Sequence, residues 1–256
     1  MTSLALLVLR DKARLASYAS QALSSVSNAA LPVLYALVLS PSDFGLYSAV
    51  MALVMLPIAL SRAGIGEALI LLSGRALPPA WFLIVAPLAF SAPFAALSGL
   101  LPRSFQIPDL KVLLLASYVA CVQDTLRYAA FRLGRPGVAA TGDALWVLIV
   151  VIGAAVAMPG GLSHFTITFL WLAGALASAL LLLSLSQTNR GIPRLSARIS
   201  AVGLLRHAKT LLTDALLGRG VAEAMVLTSG LFSVPLLAGN LRFAQLAAGP
   251  LNILLT

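Results

Sequence analysis

Long uncharged runs, separated by short charged or Pro/Gly-rich breaks, set the pattern of this chain. Residues 15–42 carry no Asp, Glu, Lys or Arg, and Pro41-Ser42-Asp43 then predicts a turn, with Pro fixing φ and Asp43 capping the next helix. A second run, 44–72, is uncharged until Arg62; Ser73-Gly74-Arg75 and Pro78-Pro79 break it, and 80–100 is a third. A loop at 102–108 leads to a fourth run, 109–133, ended by Gly134-Arg135-Pro136-Gly137. Residues 144–189 are 46 positions without a charge, which Met158-Pro159-Gly160-Gly161 divides into a fifth and a sixth. A basic stretch, 190–209, precedes a seventh run to about Phe232 and the opening of an eighth, whose apolar stretch 243–255 reads as a span cut short at Thr256. A membrane crossing takes about 20 apolar residues, and only helices or closed barrels satisfy the backbone in lipid. The 46-residue run lacks period-two alternation, which excludes barrel strands.

Composition narrows the class further. Of 256 residues, 60% are apolar and 10% charged, against roughly 25% charged in soluble domains. That excludes a cytosolic enzyme, a DNA-binding domain and a secreted disulfide module. Cys121 is the single cysteine, and the two histidines lack metal-ligand spacing, so no metal or cofactor is expected. The fold expectation is an all-α integral membrane protein of seven or eight transmembrane helices. The sequence divides into a first six-helix bundle (1–189), a basic linker (190–209) and the start of a second bundle (210–256).

The net charge of +9 is dispersed between apolar runs rather than gathered with aromatics, so nucleic acid is not an expected partner. Connections on the N-terminal side hold Arg10, Lys12, Arg14, Arg75, Arg132, Arg135, Arg190, Arg194, Arg198, Arg206 and Lys209. The opposite connections hold only Arg103, Lys111 and Arg242. The positive-inside rule then predicts a cytoplasmic N-terminus.

The hairpin Leu39-Ser-Pro-Ser-Asp-Phe-Gly-Leu-Tyr47, followed by Arg62-Ala-Gly-Ile-Gly-Glu67, resembles bacterial polysaccharide flippases. These are transporters of O-antigen or lipid-linked oligosaccharide, related to exporters of the MATE type. The resemblance rests on Pro41, Asp43, Gly45 and Tyr47 as a structural turn motif. Pro and Asp build the turn, Gly lets helices approach, and Tyr47 is expected to anchor at the interface. An internal echo accompanies it: Pro235, Gly239 and Pro250 repeat the order of Pro41, Gly45 and Pro57. The second copy departs from the motif, with Leu237, Ala238 and Leu241 where the first has Asp43, Phe44 and Tyr47.

The resemblance implies the N-terminal half of a two-half, MATE-like fold in the bacterial inner membrane. It implies translocation of an undecaprenyl-pyrophosphate oligosaccharide by alternating access, for surface polysaccharide biosynthesis. Partners would be membrane lipid, the lipid-linked saccharide and polysaccharide polymerase or assembly proteins. The alternatives are an ion-coupled small-molecule exporter and a non-transporting scaffold of polymer assembly.

No nucleophile elbow, phosphate loop or metal-spaced cluster points to an enzyme. The chemistry-bearing candidates are charges within spans: Arg62, Glu67, Asp124, Arg127, Asp143, Asp214, Arg219 and Glu223. Asp124 and Arg127, and Arg219 and Glu223, can pair along one helix face. Arg62, Arg127 and Arg219 either line a cavity for an anionic head group, where a guanidinium fork grips phosphate, or are paired and snorkelling. Asp124, Asp214 and Glu67 are the ion-coupling candidates. Ser17, Gln21, Ser24 and Asn28 fall on one face of the first helix, giving a polar stripe for substrate, through Gln21 and Asn28, or for helix packing. His164, His207 and Asp143 read as interface residues.

Overall fold

The computed structural model describes residues 2–72, 77–101, 107–187, 201–232 and 234–254. Arg75, Arg103, Arg190, Arg194, Arg198 and Thr256 lie outside the described residues. Among the described residues the chain is all-α, without a strand. The helices are α1 (Thr2–Val38), α2 (Pro41–Ser61), α3 (Ala68–Leu71), α4 (Ala80–Val85), α5 (Leu88–Ser98) and α6 (Leu110–Arg132). They continue with α7 (Pro136–Ala157), α8 (His164–Gln187), α9 (Ala201–Ala215), α10 (Val221–Leu231) and α11 (Pro235–Leu254).

Each apolar run of the sequence is one rod. Two rods contain a π turn: Arg62–Glu67 joins α2 to α3, and Leu216–Gly220 joins α9 to α10. The third run is kinked, because Pro87 divides α4 from α5. Among the described residues, five rods are long and apolar enough to cross a membrane: Arg14–Val38, Pro41–Leu71, Ala80–Ser98, Pro136–Gly160 and His164–Leu185. The α6 rod carries Asp124 and Arg127 at its centre, which lowers its hydropathy. Their outer surfaces are apolar: Leu148, Val151, Ile152 and Val156 of α7, and Phe165, Phe169, Leu176 and Leu180 of α8 are all exposed. So wide an apolar surface requires lipid rather than water, and the chain is a multi-pass helical membrane protein.

Two boundaries move. The first helix begins at Thr2 rather than near Leu15, so the charged turn around Arg10 and Lys12 is helical. The seventh rod begins at Ala201, so Arg206 and Lys209 belong to α9 rather than to a linker.

Local chemistry explains the breaks. Ser40, not Asp43, is the N-cap of α2: its hydroxyl accepts the Asp43 N–H at 3.2 Å and donates to Asp43 Oδ2 at 2.6 Å. Pro41 takes the first helical position, where its missing N–H costs nothing. Gly134, at φ 71°, closes α6 in a left-handed cap, with Arg135 N–H reaching Ala130 O at 2.9 Å. Arg132 donates to the terminal carbonyls of Leu69 and Leu72, tying α6 to the end of α3.

The α2 rod is the axis of the molecule: in its apolar stretch 83% of the residues are buried, against 17% in that of the α4–α5 rod. The α2 rod packs against α5, α6, α10 and α11; α7 and α8 pack on α6, and α1 packs on α7 and α8. The two ends of the molecule differ. The end with Arg132 at the close of α6, Arg135 before α7, and Arg206 and Lys209 on α9 is the basic end. The other holds the Ser40–Pro41 turn, the start of α6 and the start of α8.

Candidate functional site

The charges that the sequence scatters over α2, α6 and α7 converge in one buried cluster. Asp124, 3% exposed, is its centre. Arg62, from the π turn, donates from Nε to Asp124 Oδ2 at 2.8 Å, and Arg127 brings Nη2 to Oδ1 at 2.7 Å. Arg127 is wholly buried, and its Nη1 lies 3.8 Å from Asp143 Oδ2. Its guanidinium carbon stands 5.1 Å from the Tyr128 ring centroid and 5.8 Å from that of Phe131, faces that partly replace lost hydration. Two arginines and two aspartates make the cluster neutral.

Asp143 is a member of this cluster, not the interface residue its sequence position predicts. It is 1% exposed, accepts from Ser20 Oγ of α1 and receives Gln123 Nε2 at 3.0 Å. Gln123 also donates to Ser178 of α8 at 3.1 Å. The network therefore ties five rods together: α1, α2 with its π turn, α6, α7 and α8.

The polar stripe of α1 is rotated from its predicted face. Ser20, Ser24 and Ser27 are buried, while Ser17, Gln21 and Asn28 are half-buried. The buried serines serve packing: Ser20 meets Asp143, Ser27 Oγ bonds Ser24 O, and Trp171 Nε1 reaches Ser27 O at 3.2 Å. Neither Gln21 nor Asn28 has a side-chain hydrogen bond among the described residues.

Arg219 is placed differently from the other two arginines. It occupies the second π turn, is exposed, and makes no ion pair among the described residues. Its expected partner Glu223 is taken by Arg242, whose two Nη atoms reach the Glu223 carboxylate at 3.0 and 2.7 Å. Arg242, read from the sequence as a connection residue, is 4% exposed and also donates to Ser48 O of α2 at 3.3 Å. Two π turns rather than a regular helical pitch set these directions, which the i,i+4 rule does not anticipate. Asp214 is exposed on α9, and Glu67 is half-buried at the end of the first π turn; neither makes an ion pair among the described residues.

The turn motif packs rather than lying open. Tyr47 is 4% exposed and hydrogen-bonded to Asp109 and His164, so it is a core residue and not an interface anchor. Gly45 meets the first turn of α11: a Cβ there would stand 1.9 Å from the Pro235 carbonyl oxygen. A Cβ on Gly239 would stand 3.6 Å from the Gly45 Cα and 3.1 Å from the Phe44 ring. The Gly64 and Gly66 positions of the π turn admit Phe90, Leu212 and Tyr128 just as closely.

Asp109, Gln123 and Ser178 are polar residues that sequence reasoning passes over, and Arg242 enters it only as a connection charge. Asp109 and Arg242 sit at the ends of apolar runs, where a charge looks interfacial. Gln123 is adjacent to Asp124 and carried no separate signal. Comparison with protein-family models, curated proteins and solved structures finds no match.

Proposed function

We propose that the chain forms the first bundle and the opening helices of the second in a two-half transporter that moves a lipid-linked oligosaccharide from the cytoplasmic to the outer leaflet. One observation carries the two-half reading: the echoed glycines, Gly45 and Gly239, meet each other in space. Gly45 packs against Gly239, and Arg242 donates to the carbonyl of Ser48, 194 positions away, the same offset that separates the two glycines. Residues related by a two-fold repeat touch one another only near its axis, so the α2–α11 crossing marks that axis. Transporters of repeated halves place their substrate path along such a seam.

The cargo follows from the resemblance of the Pro41–Tyr47 hairpin and from Arg219. With Arg62 and Arg127 held by Asp124 and Asp143, Arg219 is the arginine of the three left to meet an anion. A pyrophosphate cannot cross about 30 Å of hydrocarbon unaided, while a prenyl tail has no cause to leave it. The basic end faces the cytoplasm in this reading, and the membrane is the bacterial inner membrane.

A strain lacking the gene should accumulate lipid-linked saccharide in the cytoplasmic leaflet and lose surface polymer. The gene should restore both, Arg219→Ala should restore neither despite normal insertion, and Arg219→Lys should restore part. Unchanged surface polymer in the deletion strain refutes the reading. Drug or cation efflux that falls instead would favour the small-molecule exporter.

A further inference from the structure

Apart from the arginine cluster, a second buried ion pair lies beside Arg219, and the transport reading leaves it without a role. Glu223, in the first turn of α10, and Arg242, two turns into α11, are 8% and 4% exposed. Arg242 holds the carboxylate with both Nη atoms, Nη1 on Oε1 at 3.0 Å and Nη2 on Oε2 at 2.7 Å, the fork that gives a guanidinium its grip on a carboxylate. Gln245, one turn further along α11, steadies the fork: its Oε1 accepts from Nη1 at 2.9 Å, and its Nε2 donates to the Ala222 carbonyl at 3.1 Å. The bond from Nη2 to Ser48 O, at 3.3 Å, reaches across to α2.

Arg219 stands four positions before Glu223, in the π turn that runs into α10. At that spacing a carboxylate and a guanidinium are ordinarily helix partners. Arg219 lies within electrostatic reach of Arg62, Asp124 and Glu223. Asp124 is already held by Arg62 and Arg127, which leaves Glu223 as the carboxylate of this group that could take Arg219.

We propose that Arg242 is a positioning residue for the anion site: by occupying Glu223 it keeps Arg219 unpaired and available to a phosphate-bearing head group. The inference rests on the assignment of Arg219 to the anion in the transport reading. The principle is competition. A buried carboxylate stripped of its counter-ion has neither water nor a partner, and it draws in the nearest cation. Arg219 has a long side chain and, being exposed, the freedom to turn toward it. It would then meet an anion as half of a neutral pair. With Arg242 in place both oxygens of Glu223 are engaged, and the Arg219 fork stays open to an oxyanion. The pair joins α10 to α11, which pack on each other. It therefore outlasts the bond to Ser48, and Arg219 stays available whether or not α2 remains against α11. A mere clamp would lose stability when broken and leave anion affinity unmoved. A competition is undone by removing the carboxylate as well.

The test is a binding cycle on the full chain in lipid nanodiscs, with inorganic pyrophosphate as the probe and titration calorimetry as the readout. The parent protein should bind and Arg219→Ala should not; a parent that does not bind overturns the anion site itself, and this inference with it. Given binding, Arg242→Gln should weaken it roughly tenfold or more, because an uncompensated negative charge then stands beside Arg219. Adding Glu223→Gln should return the affinity to within about threefold of the parent, with Arg242 still missing. An Arg242→Gln protein that binds like the parent, or a double variant as weak as the single, overturns the proposal and leaves the Arg219 site standing. Should Arg242→Gln fail to fold, Arg242→Lys decides. Its point charge lacks the fork, so affinity should fall about threefold and recover when Glu223→Gln is added. Unchanged affinity in Arg242→Lys overturns the proposal.

Discussion

Removing the guanidinium of Arg127 would leave Asp143, 1% exposed, facing only the neutral donors Ser20 and Gln123. Asp124 would retain Arg62. Breaking a buried pair by deleting one partner costs roughly 3–5 kcal/mol, because the remaining charge has neither water nor a counter-ion. Arg127→Met should therefore lower the thermal midpoint of the purified protein in detergent by several degrees. Adding Asp143→Asn, which keeps the shape and removes the orphaned charge, should recover part of that loss. Additive single-site losses in the double-mutant cycle would mean that the 3.8 Å approach of the two groups carries no coupling. The same reasoning separates the arginines. Substitution of the wholly buried Arg127 should be read as stability, whereas, under the proposed function, substitution of Arg219, exposed and without an ion pair among the described residues, should be read as transport.

At the scale of single elements, small residues decide how close the rods come. Gly45 faces the carbonyl of Pro235, which is backbone and cannot swing aside. Gly45→Ala should thus push α11 off α2 and cost about 1–3 kcal/mol, in the range of overpacked cores. Gly137, in the first turn of α7, has open space around its Cα. Gly137→Ala should stay within about 0.5 kcal/mol of the parent protein, so a thermal-melt comparison of the two substitutions isolates the contact from glycine chemistry. The rods themselves were legible in the sequence, since run length and Pro/Gly breaks report directly on lipid and backbone satisfaction. Their facing was not. The α1 stripe is read one step off, through Ser17 and Asn28 rather than Ser20 and Ser27, because a polar stripe marks a wide sector and not a seam. Glu223 binds Arg242 rather than Arg219 because the Leu216–Gly220 π turn rotates the pitch, and nothing in the letters of that segment announces such a turn. Asp143 and Asp109 look like residues at helix starts in one dimension, and only packing shows them buried.

For the molecule as a whole, the α2–α11 crossing is the element on which an alternating-access cycle would turn. It lies at the end away from the basic residues, where the Phe44 and Phe243 rings meet at a tilt, 5.0 Å between centroids, beside the Gly45–Gly239 contact and the Arg242 bond to Ser48 clamps the next turn. In the conformation described, α2 and α11 are in contact at that end. A two-half transporter, as proposed, would open it once per cycle, which breaks a contact of small residues and tilted rings and the Arg242–Ser48 bond rather than a buried ion pair; Glu223 and Arg242 can travel together because α10 packs on α11. A covalent link across the crossing should therefore arrest transport. Phe44→Cys with Gly239→Cys, in a Cys121→Ala background, provides the link. Cys121 is buried, and its removal leaves the engineered pair as the only thiols. Oxidation should stop export of the lipid-linked saccharide in membrane vesicles, and reduction should restore it. The companion pair Gly153→Cys and Leu170→Cys joins α7 to α8, where a Cβ on Gly153 would stand 2.3 Å from Leu170 Cδ2. Both helices lie on the same side of the proposed seam, so that link should leave transport intact. Equal export from oxidised and reduced protein carrying the α2–α11 pair would show that the seam does not open, and the two halves would then have to work without rocking about it.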